Sequence, residues 1–128
     1  MPACGFALGI ERVLATLESC GVVIPKTIPD VYVVSADEKT QLYAWDVCRE
    51  LRDNGLKVIL HCGGGALKSQ MKKADISGAN FAIIIGDSEM TKKRVSLKSL
   101  RGAKVGKAEQ QQELSVIDAI RKVRESDV

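Results

Sequence analysis

KVILHCGGGALKSQMKKADISGANFAIII, residues 57 to 85, is the stretch on which the fold turns. Lys57-Val-Ile-Leu-His61 is an apolar run of strand length, and Gly63-Gly-Gly65 breaks it. A helix is predicted over about 67–77, with Leu67, Met71 and Ala74 facing inward and Gly78 ending it. Phe81-Ala-Ile-Ile-Ile85 is a second apolar run, and its continuity predicts a central strand covered on both faces. A strand, a glycine turn, a helix and a strand make a βαβ unit, which joins parallel strands through a right-handed crossover.

The same grammar extends in both directions. Upstream, Val31-Tyr-Val-Val34 is a further buried strand, and Ser35-Ala-Asp-Glu38 matches a capping box at a helix start. The helix that follows carries Ala44, Val47, Cys48 and Leu51 on one stripe and closes at Asn54-Gly55. Downstream, Arg94 to Leu100 alternates, with Val95 and Leu97 on one side and Ser96 and Lys98 on the other. A turn at Arg101-Gly102 and renewed alternation over Ala103 to Ala108 predict a β-hairpin, and residues 111–125 predict a last helix with Leu114, Ile117, Ile120 and Val123 inward. The expected fold is α/β: a five-stranded mixed sheet with three flanking helices and the hairpin at one edge.

Before this unit lies a different segment. Residues 10–20 predict a helix with Ile10, Val13, Leu14 and Leu17 on one face, stopped by Gly21. Val22 to Pro29 holds Pro25 and Pro29 and reads as a linker. The expected division is therefore 1–28, a strand-helix stub with its linker, and 29–128, the main domain.

Composition narrows the function. A chain of 128 residues with mean hydropathy near zero is of ordinary single-domain size, and it has no apolar run approaching the roughly 20 residues that cross a bilayer. Glu11 and Arg12 interrupt the N-terminal region where a secretory leader would be apolar, so the cytoplasm is expected. Cys4, Cys20, Cys48 and Cys62 show no metal-ligand spacing, so no metal site is expected and the thiols are expected free and largely buried. Charge is more telling. Residues 57–107 hold eleven Lys and Arg against three acids, whereas residues 1–56 and 108–128 are each net acidic. Positive charge concentrated in one part of a domain suits a polyanion.

Gly63-Gly-Gly-Ala-Leu-Lys-Ser69 lacks the Walker spacing, because Leu67 precedes Lys68-Ser69, and it lacks the third glycine of the dinucleotide fingerprint. A tight strand-to-helix turn explains the glycines. Lys68, Lys72 and Lys73 on or beside that helix start are placed to meet a backbone phosphate. Lys92-Lys93-Arg94 is a basic run read as a loop, and Lys98, Arg101, Lys104 and Lys107 extend it along the hairpin. His61 is the chain's single histidine, and no carboxylate pair or nucleophile elbow accompanies it, so a structural role is expected. Tyr43 and Trp45 are expected to pack.

Gly5-Phe-Ala-Leu-Gly-Ile-Glu-Arg12 resembles the third signature motif of class II aminoacyl-tRNA synthetases in its histidyl form. The remainder is similar to the C-terminal domain of the same family: Pro29-Asp-Val-Tyr-Val-Val34, His61-Cys-Gly-Gly-Gly65 with Leu67-Lys-Ser-Gln70, Ala74-Asp75, Ile85-Gly-Asp-Ser-Glu89 and Val95-Ser-Leu-Lys-Ser-Leu-Arg101 follow in the family's order. The resemblance implies an anticodon-binding domain for histidine tRNA within a histidine–tRNA ligase. It further implies that Arg12 contacts the ATP phosphates of the whole enzyme, while Gly5 and Gly9 let adenine approach the backbone. Glu89 and Lys98 fall where relatives read anticodon bases, and lysine stands where several carry arginine, which retains charge without the bidentate fork. Lys68, Lys72, Lys92, Lys93 and Arg94 would hold phosphates.

ATP and magnesium belong to the whole enzyme, with no cofactor expected for these residues alone. They are expected neither to activate histidine nor to charge tRNA, and homodimerisation is expected to lie in the catalytic domain. Two other readings remain open: a non-catalytic synthetase-like paralogue binding tRNA or a regulatory protein, and a small nucleotide- or anion-binding module at Gly63–Gly65.

Overall fold

Strands and helices alternate as the apolar runs predict. The computed structural model describes residues 1–101 and 111–126. Its strands are β1 (Val31–Ser35), β2 (Val58–Leu60), β3 (Phe81–Ile85), β4 (Val95–Ser99) and β5 (Gln112–Leu114). Its helices are α1 (Ile10–Ser19), α2 (Glu38–Asp53), α3 (Leu67–Ile76), α4 (Asp87–Lys92) and α5 (Val116–Ser126). The five strands form one mixed sheet in the order β2-β1-β3-β4-β5. β1 runs parallel to β2 and β3, β3 antiparallel to β4, and β4 antiparallel to β5. The expected α/β architecture is the one observed, with β3 at the centre and all five of its residues buried.

Side chains of a strand alternate between faces, and the two faces of this sheet are unequal. Val31, Val33, Phe81, Ile83, Ile85, Val95 and Leu97 pack with Ala44, Val47, Cys48 and Leu51 of α2 and with Val116, Ala119, Ile120 and Val123 of α5. The opposite layer is smaller: Tyr32, Val34 and Ile84 with Ala74 of α3 and Ala79, flanked by Met71 and Leu100. Each fully buried Val, Leu or Ile contributes about 1.5–3 kcal/mol. The first layer therefore supplies most of the hydrophobic stabilisation, and the second face is left for polar work.

Several local readings are corrected. The cap of α2 lies two residues later than expected: Ser35 belongs to β1, and Thr40 Oγ1 accepts from the amide of Asp37 (3.3 Å). In α3 Leu67 is exposed, and Gln70 is buried together with Ala74. Trp45 is 51% exposed rather than packed. Three of the four thiols, Cys4, Cys20 and Cys62, are exposed; only Cys48 is buried, and burial pushes its thiol pKa up to about 11. The last helix begins at Val116, because residues 112–114 form β5 with Leu114 opposite Val95, extending the first apolar layer. Ser115 caps that helix, its Oγ accepting from the amide of Asp118 (3.2 Å). The expected turn at Gly102 and strand over 103–108, with Lys104 and Lys107, lie outside the described residues.

Of the run Lys92-Lys93-Arg94, Lys92 is the last residue of a helix, and Lys93 and Arg94 connect it to β4. α4 is six residues long, too short for apolar periodicity to reveal it. Lys93 closes it in the left-handed region (φ 54°), the one non-glycine there among the described residues. A side chain in that conformation costs about 1 kcal/mol relative to glycine. Lys93→Gly is accordingly expected to raise unfolding free energy by about 1 kcal/mol in a denaturant titration, less whatever the freer glycine adds to unfolded-state entropy.

Candidate RNA-binding face

The second sheet face carries the polar side of β4. Ser96 pairs in register with Ile84 on β3 and Glu113 on β5, and Lys98 pairs with Ala82. Ser96 is 3% exposed, whereas Lys98 is half-buried. Across from them, the first turn of α4 delivers Glu89.

The carboxylate of Glu89 is held by three protein donors. Its Oε2 accepts from the backbone amide of Gly86 (3.1 Å) and from Ser88 Oγ (2.8 Å); its Oε1 accepts from Ser96 Oγ (2.8 Å). The first of these is the return arm of a capping arrangement at α4. It also explains Gly86, where an added Cβ would stand 3.0 Å from Glu89 Oε2. Burial works against ionisation of Glu89. The hydrogen bonds from Ser96, Ser88 and the backbone outweigh that effect and hold its pKa below the ordinary carboxylate value. The result is an acceptor-only group fixed beside the strand that carries Lys98.

Lys92 Nζ lies 3.4 Å from Glu113 Oε1, so part of the basic run is paired with a carboxylate of β5. That pair is exposed, and exposed pairs contribute little. Arg94 is exposed, its amide donates to Glu89 O (2.8 Å) and its carbonyl accepts from Tyr43 Oη (3.1 Å). Arg101 donates through Nη2 to the carbonyl of Asp75 (2.6 Å), tying the end of β4 to the end of α3. Lys68 and Lys72 are exposed on α3, the helix over this same face. The structure thus brings together Glu89, Lys92 and Lys98 with Ser96 and Glu113, which sequence reasoning did not single out. Strand alternation put Ser96 on the polar side, but no sequence signal paired it with Glu89.

Gly63–Gly65 serves the fold. Gly64 and Gly65 take positive φ (59° and 91°), which lets the chain double back into α3. His61 Nε2 lies 3.0 Å from the carbonyl of Gly64, an acceptor, so the ring proton is on Nε2 and Nδ1 accepts from Tyr32 Oη (2.9 Å). Gln70, 2% exposed, donates through Nε2 to the carbonyls of Ser35 (2.9 Å) and Gly65 (2.8 Å) and accepts at Oε1 from the Ser35 amide (3.3 Å). A cavity of about 250 Å³ beside the loop is lined by Asp37 and Glu38 as well as His61 and Gln70. Two carboxylates repel a phosphate, so this cavity does not suit a nucleotide.

Gly5, Gly9 and Arg12 lie in an exposed segment: α1 buries none of its residues, and Gly9 is its N-cap. Leu8, Gly9, Arg12, Val13, Thr16 and Leu17 line an open groove. One cation and a hydroxyl do not make a triphosphate site, and no carboxylate lines it to hold magnesium. Among the described residues no group of three or more His, Cys, Asp or Glu is placed to bind a metal. No helix there is long and apolar enough to cross a membrane.

The five-stranded mixed sheet with its flanking helices has counterparts among known proteins. A family model described as an anticodon binding domain matches residues 30–126, and the chain belongs to that family. Its relatives narrow the class. The histidine–tRNA ligase of Nitrosomonas europaea is 55% identical over 102 residues, 80% of this chain and 24% of that protein. That of Thiobacillus denitrificans is 54% identical over 101 residues, 79% of this chain and 24% of that protein. The chain spans about a quarter of the length of these relatives. Histidyl-tRNA synthetase from Nostoc sp. PCC 7120 matches with a TM-score of 0.70 at 27% identity, covering 94% of this chain and 28% of that one. The RNA binding domain of threonyl-tRNA synthetase from Cryptosporidium parvum Iowa II matches with a TM-score of 0.68 at 26% identity, covering 90% and 28%.

Proposed function

We propose that residues 29–128 read the anticodon of histidine tRNA as part of a histidine–tRNA ligase, and that residues 1–28 are the end of its catalytic domain with a linker. The observation that carries this reading is Glu89, an ionised carboxylate fixed on a face that also holds Lys92 and Lys98. An unpaired base presents amino or imino donors to such a carboxylate, and the cations hold the neighbouring phosphates, which suits splayed loop bases rather than a duplex. Lys68 and Lys72 on α3, with Lys93 and Arg94, supply a sequence-independent grip.

In the whole enzyme, a cytoplasmic dimer joined through the catalytic domain, Arg12 would contact the ATP phosphates and Gly5 and Gly9 would border adenine. ATP with magnesium supplies the energy for joining histidine to tRNA. This chain's own residues do not complete that site, so it is expected to bind tRNA without charging it.

The test is binding of a synthetic anticodon stem-loop of histidine tRNA, with a scrambled loop as control, at two salt concentrations. Preference for the histidine loop with a marked salt dependence supports the reading; equal binding of both loops sinks it. Within that assay, Lys98→Ala is expected to weaken discrimination among loops by about tenfold. Lys92→Ala is expected to lower affinity for every loop and reduce the slope of log affinity against log salt by about 0.7, the value for one single-strand phosphate contact. Equal loss for all loops in both variants would refute this division of labour.

A further inference from the structure

We propose that Ser96 is a positioning residue of the base-reading site, presenting one acceptor atom, Glu89 Oε1, to a single N–H donor on the edge of a loop base. The proposal rests on the anticodon-reading role given above and names the chemistry of that site more closely.

Each carboxylate oxygen offers about two lone pairs. On Glu89 the Gly86 amide and Ser88 Oγ take both of those on Oε2. Among the described residues Oε1 receives only Ser96 Oγ, so one acceptor position remains there. Ser96 is well suited to aim it. Ladders to Ile84 on one side and Glu113 on the other set its backbone, and its side chain is buried. The neighbouring Glu113 carboxylate is occupied by Lys92.

The site therefore takes an amino or imino N–H and rejects a carbonyl edge or a phosphate, both of which meet Oε1 as acceptor against acceptor. Loss of the Ser96 hydroxyl leaves Glu89 anchored through Oε2 alone, free to swing Oε1 away from the base.

The experiment is a fluorescence anisotropy titration of the 128-residue chain with synthetic hairpins. One hairpin carries the histidine anticodon loop, others have each anticodon base replaced in turn, and one is scrambled. Ser96→Ala is expected to lose about tenfold of the preference at one anticodon position, as befits a hydrogen bond to a charged group, while affinity for the scrambled loop stays unchanged. Ser96→Thr, which keeps the hydroxyl, restores the preference. Ser96→Cys keeps the volume with a weak donor and shows the same loss, which decides the matter if the alanine variant does not fold. Unchanged preference in Ser96→Ala or Ser96→Cys, an equal loss against every hairpin, or no rescue by threonine overturns the proposal. Absence of any preference in the unmodified chain is a separate result: it overturns the anticodon reading itself, and the role of Ser96 with it.

Discussion

Gln70→Ala is expected to destabilise the chain by about 3 kcal/mol, the largest single effect on stability among the changes considered. The side chain is 2% exposed and makes three hydrogen bonds to backbone: the amide and carbonyl of Ser35 at the end of β1 and the carbonyl of Gly65 in the turn before α3. Alanine leaves those groups without partners in a place water reaches poorly, and an unsatisfied buried polar group costs about 1–3 kcal/mol. For a domain of this size the melting temperature should fall by about 10 °C or more. Gln70→Glu separates hydrogen bonding from packing. The ionised side chain cannot donate to either carbonyl, and burial disfavours its charge, so its pKa is raised in the folded state. That variant should gain stability as pH falls through its raised folded-state pKa, the gain being complete below the ordinary glutamate pKa. Melting curves near neutral pH check the first expectation; a loss in Gln70→Ala no larger than that of an exposed substitution would show that the turn closes without Gln70.

Glu89→Gln is expected to abolish discrimination among anticodon loops and to cost about 2 kcal/mol of stability. An amide has one acceptor oxygen where the carboxylate has two, so the donors from Gly86, Ser88 and Ser96 can no longer all be met. The two consequences separate by pH. In the folded chain burial raises the pKa of Glu89, but hydrogen bonds from Ser96, Ser88 and the backbone bring it below the ordinary 4.5. A carboxylate depressed in this way contributes stability that is fully present above the unfolded pKa and is lost as pH falls through the folded one. Denaturant titrations should show the wild-type chain losing this contribution below about pH 4.5, whereas Glu89→Gln lacks that component. A variant with the same acid limb as the wild type would place the stabilising carboxylate elsewhere. Retained loop discrimination would remove Glu89 from base reading.

The sheet was legible because its information is local. Apolar runs at 31–34, 57–61 and 81–85, separated by helical spacing and glycine turns, allow little but a parallel core, and the structure has it. Short elements were less legible. α4 is under two turns, and Gln112–Leu114 has no apolar alternation, so neither leaves a periodic trace. Alternation pointed to residues 103–108, which lie outside the described residues; among the described residues β4 pairs with 112–114, where Leu114 meets Val95. Pairing is decided by which residue can enter the apolar layer, and that layer exists only after the sheet has formed.

The site divides along the same line. Motif order in the sequence named Glu89 and Lys98, and strand alternation placed Lys98 on the polar side of its strand. That Ser96 donates to Glu89, that Glu113 takes up Lys92, and that Gln70 rather than Leu67 is buried in α3 could be learned only from the fold. The amino-acid sequence by itself determined the order of the longer elements, most of the larger apolar layer and the family of the domain, because these depend on spacing and residue type within a few turns of chain. It did not determine which helix residues face inward throughout: Leu67 and Ile117, both expected inward, are exposed. The tertiary structure alone decided which polar groups meet, because a hydrogen bond forms at about 3 Å between atoms whose residues can lie anywhere along the chain.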